Sequence, residues 1–203
     1  MFKNSYGQRI VLGSSSPRRR ELLAGCGIEF EILSPDVDEQ VIAGELAQQL
    51  VERLAAEKGS VVAAQAPEAW VLAADTVVVL DNKILGKPVD EADAAQMLTM
   101  LQGRSHHVWG GVALINHTRD VKHISSYCSE VSIKNLTDIE IAAYIKTKEP
   151  MDKAGSYAIQ GIGAALVTEV HGSYSNVVGL NIAAVLDLLK QHQVISLANG
   201  VVQ

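Results

Sequence analysis

The sequence predicts an α/β protein, and three kinds of stretch within its 203 residues predict it. An apolar run rich in β-branched residues, from Trp70 to Leu80, reads as a mostly buried strand. Apolar residues recur at helical spacing over 45–64, again from Ala94 to Leu101, and once more over 182–191. Two alternating segments, 105–115 and one ending at Ile133, flank a turn at 117–120 and read as antiparallel neighbours. At 48% apolar composition the chain can bury one substantial core, so a single domain over 1–203 is the default.

From the start, Gln8 to Gly13 is a short apolar strand, and Ser14-Ser15-Ser16 leads into Pro17, a good first helical residue after a serine cap. Arg18, Arg19 and Arg20 then crowd the first helical turn, where the macrodipole is positive and acidic residues are favoured. That placement makes sense if an anion arrives to meet the free N–H groups, hydroxyls and guanidinium forks; the alternative is a solvated basic turn beside Glu21. No G-x-x-x-x-G-K-[ST] and no G-x-G-x-x-G pattern occurs. Gly25 and Gly27 end the helix, and Glu29 to Leu33 alternates as a second strand. Asp36, Asp38 and Glu39 follow, either a solvated loop or carboxylates for a metal. On the helix over 45–64, Ala47, Leu50, Val51, Leu54, Ala55, Val61 and Val62 mark one face, and Lys58 lies on it, either snorkelling or pointing its ammonium into a site.

The anomaly of the central strand is Asp75, because an ionised carboxylate buried alone costs several kcal/mol. A partner must come with it. Asp81-Asn82-Lys83 turns the chain back and brings Lys87 towards that carboxylate, so a structural ion pair is one reading and a catalytic pair the other. Asp90 caps a helix with Ala94, Met97, Leu98 and Leu101 on its apolar face, and Gly103 stops it. His106 and His107 point to opposite faces of the next strand and cannot share a metal. Thr137 to Glu140 is a capping box whose helix ends by Pro150. The glycine-rich run 152–167 contains Gln160, whose donor and acceptor ends suit a base edge; a strand over 164–170, a turn cluster at 172–176 and a helix from Ile182 to Gln191 close the chain.

A net charge of −6 and 4% aromatic residues argue against a nucleic-acid surface, though not against a free nucleotide. Cys26 and Cys128 stand far apart without a C-x-x-C, and the histidines lack zinc spacing, which fits reduced thiols in a cytosol. No apolar segment suggests a signal peptide or membrane helix, so a cytoplasmic protein with neither membrane nor nucleic-acid partner is expected.

LGSSSPRRRELL, AADTVVVLDNKILGKPVDEADAAQML, KAGSYAIQG and GSYSNVVGLN, in that order, resemble the Maf family of nucleoside triphosphate pyrophosphatases. The resemblance implies an elongated mixed α/β sheet with flanking helices and a central cleft between two lobes, similar to inosine triphosphate pyrophosphatases. It also implies a homodimer, and hydrolysis of a nucleoside triphosphate to the monophosphate and pyrophosphate with Mg²⁺ or Mn²⁺. By the same resemblance Asp75 is the proton acceptor; Arg18, Thr76 and Gln160 govern substrate choice; and Ser14, Arg19, Glu39, Lys58 and Lys87 line the cleft. Gln160, rather than glutamate, is similar to the branch acting on dTTP and UTP and unlike the one acting on 7-methyl-GTP. Gly13, Gly110 and Asn181 depart from the alanine, threonine and proline common in the family.

The implied chemistry assigns Asp75, Lys58, Lys87 and Arg19 to catalysis, Ser14, Arg18, Thr76 and Gln160 to substrate, and Glu39 with Asp75 to the metal. A free Asp, with a pKa of roughly 3.9, is a weak base at neutral pH, so desolvation or a metal-bound water must help it. Thr76, next to Asp75 on a strand, faces the other way, so a backbone amide or a local bend must reconcile them. Two other functions fit less well: a 7-methyl-GTP or modified-nucleotide pyrophosphatase, and a nucleotide-binding regulator of septum formation without catalysis.

Overall fold

A computed structural model describes residues 2–5 and 7–198, and its longer strands and helices form where an apolar face can be buried. The strands are β1 (Phe2–Asn4), β2 (Ile10–Gly13), β3 (Glu31–Ile32), β4 (Trp70–Leu80), β5 (Lys83–Leu85), β6 (Ser105–Asn116), β7 (Val121–Ile133), β8 (Val167–His171) and β9 (Ile195–Leu197). The α-helices are α1 (Pro17–Ala24), α2 (Ala47–Gln65), α3 (Glu91–Leu101), α4 (Asp138–Lys146), α5 (Tyr174–Val178) and α6 (Ile182–Gln191). A mixed seven-stranded sheet has the order β3-β2-β4-β6-β7-β8, with β5 paired to β4, and β1 pairs with β9 apart from it. The fold class is mixed α/β, as the alternation of periods predicts. β6 and β7 are neighbours joined by residues 117–120, too short a link for a parallel crossover.

The chain divides into two compact units. The first comprises the described residues up to Asp75, then Gly110–Ser126 and the described residues from Gly179 onward. Here β2 runs parallel to both β3 and β4, in a register that sets Ile10 against Trp70 and Gly13 against Ala73. The buried face of α2 carries Leu50, Val51, Leu54, Ala55, Lys58, Gly59, Val62 and Ala63. Small residues let it press on the strands: a Cβ on Gly59 would sit 2.9 Å from Ile115 Cδ1, and one on Gly111 would collide with the Val51 carbonyl.

The second unit comprises Thr76–Trp109 and Tyr127–Val178. Its core gathers Val78, Leu85, Leu98, Val131, Ile141 and Tyr157, with α3 packed on α4. Asp81 and Asn82, both at positive φ, make the two-residue hairpin loop between β4 and β5. Asp90 Oδ1 caps α3 by accepting from Asp93 N at 2.8 Å, and Thr137 and Glu140 form the capping box of α4.

Several local expectations change. β3 keeps only two residues, both exposed, because an edge strand just before Ser34-Pro35 has no partner on its outer side to extend it. Val61 is exposed rather than on the buried face of α2. The Ser16 side chain makes no capping bond, and the hydroxyl that acts there is that of Ser14, accepting from Ser16 N at 3.2 Å. β8 begins at Val167, not 164, because Ile162 N and Gly163 N donate to Glu149 rather than to a strand, leaving 161–165 as a 3-10 turn. Residues 174–178 are helical, since Ser173 Oγ accepts from Asn176 N at 3.2 Å in the manner of an N-cap. The β1–β9 pair was not foreseen, each strand being only three residues long.

Gly111→Ala is expected to lose about 1–3 kcal/mol of stability, because the new methyl meets backbone rather than a side chain that can move; urea unfolding measures it.

Candidate active site

Five of the residues singled out above form two bonded groups within the first unit, Lys58 with Asp75 and Glu39, and Arg19 with Ser14. The strand hydrogen bonds of β4 carry Asp75 into the interior, where it is 6% exposed, and the apolar face of α2 carries Lys58 to it, 7% exposed. Lys58 Nζ donates to Asp75 Oδ1 at 2.7 Å and pairs with Glu39 Oε1 at 2.6 Å. One ammonium therefore holds two carboxylates from segments 36 residues apart in sequence (75 − 39). Glu39 is placed by its neighbours: Arg53 Nη2 donates to the Gln40 carbonyl at 3.0 Å while the same guanidinium grips Glu45 at 2.6 and 2.8 Å.

Arg19, on the first turns of α1, turns back onto the strand ends. Its Nη1 donates to the Ala74 carbonyl at 2.7 Å and to Ser14 Oγ at 3.2 Å, and its Nε to the Gly179 carbonyl at 2.9 Å. Burial pulls this guanidinium below the usual arginine range, and the negative charges of Asp75 and Glu39 work against that shift. Arg18 is half-buried beside it, and α1 has no acidic residue in its first turn. The arginine crowding thus has one structural answer, Arg19, whose donors fix the loop and strand that carry Ser14 and Asp75.

Thr76, Lys87 and Gln160 belong to the second unit. Thr76 is half-buried and Lys87 exposed. The ammonium bonded to Asp75 is that of Lys58, where the hairpin had pointed to Lys87. Gly86, just before Lys87, accepts from Gly155 N at 3.0 Å, which ties that loop to the KAGSYAIQG segment. Gly155 has φ +68, and a Cβ there would sit 2.9 Å from Val78 Cγ1. Gln160 is half-buried and opens the 3-10 turn 161–165.

Sequence reasoning missed the groups that hold this segment. Tyr144 OH donates to Glu149 Oε1 at 2.9 Å and accepts from Ala158 N at 3.0 Å. Glu149 also accepts from Ile162 N at 3.0 Å and Gly163 N at 2.8 Å. The only signal was a carboxylate directly before Pro150. Of the two histidines expected on opposite faces, His106 is the buried one: its Nε2 is 2.7 Å from Tyr157 OH, and its Nδ1 is buried without a partner. Burial pulls its imidazole down to about 4, with the neighbouring His107 adding to the shift.

Among the described residues no three His, Cys, Asp or Glu side chains converge on one point. Glu39 and Asp75, drawn to one nitrogen, still offer hard oxygen donors of the kind Mg²⁺ or Mn²⁺ takes. The residues fit a metal brought with the substrate better than a closed protein cage.

The model of the family described as Maf-like protein matches residues 9–192. The chain belongs to that family. This Maf-like protein is 49% identical over 192 residues to a protein of Clostridioides difficile (strain 630) named dTTP/UTP pyrophosphatase, covering 95% of this chain and 99% of that one. It is 45% identical over 188 residues to one of the same name from Desulfotalea psychrophila, covering 93% and 96%. Among solved structures it is similar to the Staphylococcus aureus Ham1 protein over 92% of this chain and 100% of that one, at 12% identity and a TM-score of 0.47, a likeness that bears no weight. Two departures of this Maf-like protein have local explanations. Asn181 Oδ1 accepts from Ala184 N at 3.3 Å and so caps α6, and a methyl on Gly13 would stand only 3.3 Å from Val62 Cγ2.

Lys58→Met leaves Asp75 buried without its ammonium and is expected to cost about 3–5 kcal/mol, whereas Asp75→Asn, with Glu39 still on Lys58, costs less; urea midpoints rank the two. His106 stays neutral in the folded state down to about 4, while the unfolded histidine protonates near 6.5. Stability is therefore lost as pH falls from 6.5 towards 4, and between pH 7 and 5 this residue accounts for about 2 kcal/mol of the loss. His106→Phe should flatten that part of the profile when urea midpoints are compared at the two pH values.

Proposed function

We propose that this chain hydrolyses dTTP and UTP to the monophosphate and pyrophosphate, removing them from the nucleotide pool. The observation that carries the reading is the buried Asp75 carboxylate, bonded by Lys58 and flanked by Arg19, on a chain whose relatives bear the name dTTP/UTP pyrophosphatase. A carboxylate meant only to neutralise a lysine needs no arginine anchored on its own strand and no serine loop at the strand end.

In this mechanism Ser14 and Arg18 receive the phosphates, while Arg19 and Lys58 supply fixed positive charge. Lys87, exposed in its loop, meets the outer phosphates. Asp75 orients the attacking water and takes its proton as the water oxygen bonds to the α-phosphorus. The bond from that phosphorus to the bridging oxygen breaks, and pyrophosphate leaves with the bridging oxygen. Glu39 and Asp75 are the residues that would hold a divalent metal, which would supply further charge neutralisation and a more acidic water when bound. Lys58 spans both carboxylates, so it keeps them oriented before substrate arrives. Gln160 offers one N–H and one carbonyl, matching O4 and N3–H of uracil and thymine, and Thr76 contributes its backbone or hydroxyl beside Asp75.

A substrate panel of dTTP, UTP, CTP, GTP and 7-methyl-GTP, with and without chelator, tests this. Preference for dTTP and UTP, loss with chelator, and a fall of about 10²- to 10⁴-fold in Asp75→Asn are expected. Preference for 7-methyl-GTP overturns the branch. Absence of pyrophosphate release at catalytic enzyme levels overturns the enzyme in favour of a nucleotide-binding regulator.

A further inference from the structure

Glu149 and Tyr144 take no part in the chemistry above, yet their polar atoms converge on one short segment. Tyr144, on the buried face of α4, holds Ala158 N at 3.0 Å. Glu149 holds Ile162 N at 3.0 Å and Gly163 N at 2.8 Å, and the two side chains bond each other at 2.9 Å. Gln160 lies midway between these anchors. The glycines beside it are shaped to the pair: a Cβ on Gly161, which has φ +67, would collide with Glu149 Oε2, and one on Gly163 would sit 2.5 Å from Tyr144 OH. The carboxylate is itself seated by its own stretch of chain. Lys148 turns through φ +64, Thr147 Oγ1 accepts from Glu149 N at 3.2 Å, and Lys153 Nζ donates to the Glu149 carbonyl at 3.0 Å. The N–H donors to Glu149 outweigh its partial burial and hold its carboxyl below the usual range, so it stays an ionised acceptor at neutral pH.

We infer that the Tyr144–Glu149 pair sets which base this protein accepts, by clamping residues 158–163 so that the Gln160 amide is presented in one fixed orientation. Glu149 and Tyr144 are positioning residues, acting through Gln160, and the inference rests on the reading of Gln160 as the group that meets the base. An amide read by two hydrogen bonds discriminates only if it cannot pivot, because a loop free to move lets a mismatched edge find other partners.

The test compares kcat and KM for dTTP and GTP in the full-length wild type, Gln160→Ala, Glu149→Gln, Tyr144→Phe and the Glu149→Gln/Tyr144→Phe double variant. Glu149→Gln turns an amide N–H₂ towards an N–H donor, and Tyr144→Phe removes both the bond to Glu149 and the acceptor for Ala158 N. Each is expected to lower the ratio of kcat/KM for dTTP over GTP by about tenfold, mainly through a raised KM for dTTP. The double variant should be little worse than either, because the pair acts as a unit. A purely structural role would instead lower kcat for both substrates and leave their ratio intact, which overturns the inference. If Glu149→Gln does not fold, Tyr144→Phe decides by the same ratio. A ratio that collapses in Gln160→Ala but survives in the clamp variants overturns the clamp alone. A ratio that survives Gln160→Ala overturns the base-reading role, and the clamp with it.

Discussion

The first unit depends on a single ammonium group. Lys58 sits on a helix face that is otherwise apolar, and Asp75 sits in a strand buried almost throughout its length. Neither charge could be buried without the other, and their attraction has to offset the removal of both from water. Glu39 closes the balance from the solvent side, with its side chain 53% exposed. Two acids and one base leave that group one negative charge in excess, which Arg19, bonded to the Ala74 carbonyl, answers through its field on Asp75. Such an arrangement is a poor way to stabilise a core and a good way to hold charges still.

The second unit solves a different problem, holding irregular backbone in place. Between α4 and β8 the chain runs through short 3-10 turns and left-handed residues, where the sheet offers no partners. Side chains supply the missing bonds there, with Glu149 and Tyr144 holding one stretch and His106 meeting Tyr157 on another. Ser156, at φ +59 and buried, shows how far ordinary backbone preferences yield in this region.

Much of this was legible in the residues, for identifiable reasons. β4, α3 and α6 keep the bounds that periodicity suggested, because long amphipathic or β-branched runs bury a face whatever their neighbours do. Asp75 announced a partner because burying its charge alone is so costly, but the choice of Lys58 over Lys87 depends on how α2 lies against β4, which no local pattern encodes. Residues 164 and 165 looked like the start of a strand, and joined a turn over 161–165 because Glu149 captured the N–H groups of Ile162 and Gly163 just before them. Glu149 was invisible for the same reason: its role exists only in three dimensions. The serine at 173 could have been read either as a turn former or as a cap, and its use as a cap was decided by the following Asn176 N–H.

The glycines at 59 and 111 have a chemical corollary for Lys58. They let α2 lie so close to the strands that it can approach no further: Ile115 Cδ1 stands against Gly59, and the Val51 carbonyl is seated against Gly111 of β6. The distance from that helix backbone to Asp75 is thus set by packing, and it matches a four-methylene tether ending in a compact cation. A guanidinium, longer and flat, would have to fold back on itself to present the same charge at the same point. The two basic amino acids are therefore not synonyms at this position, even though either would neutralise the acid on paper.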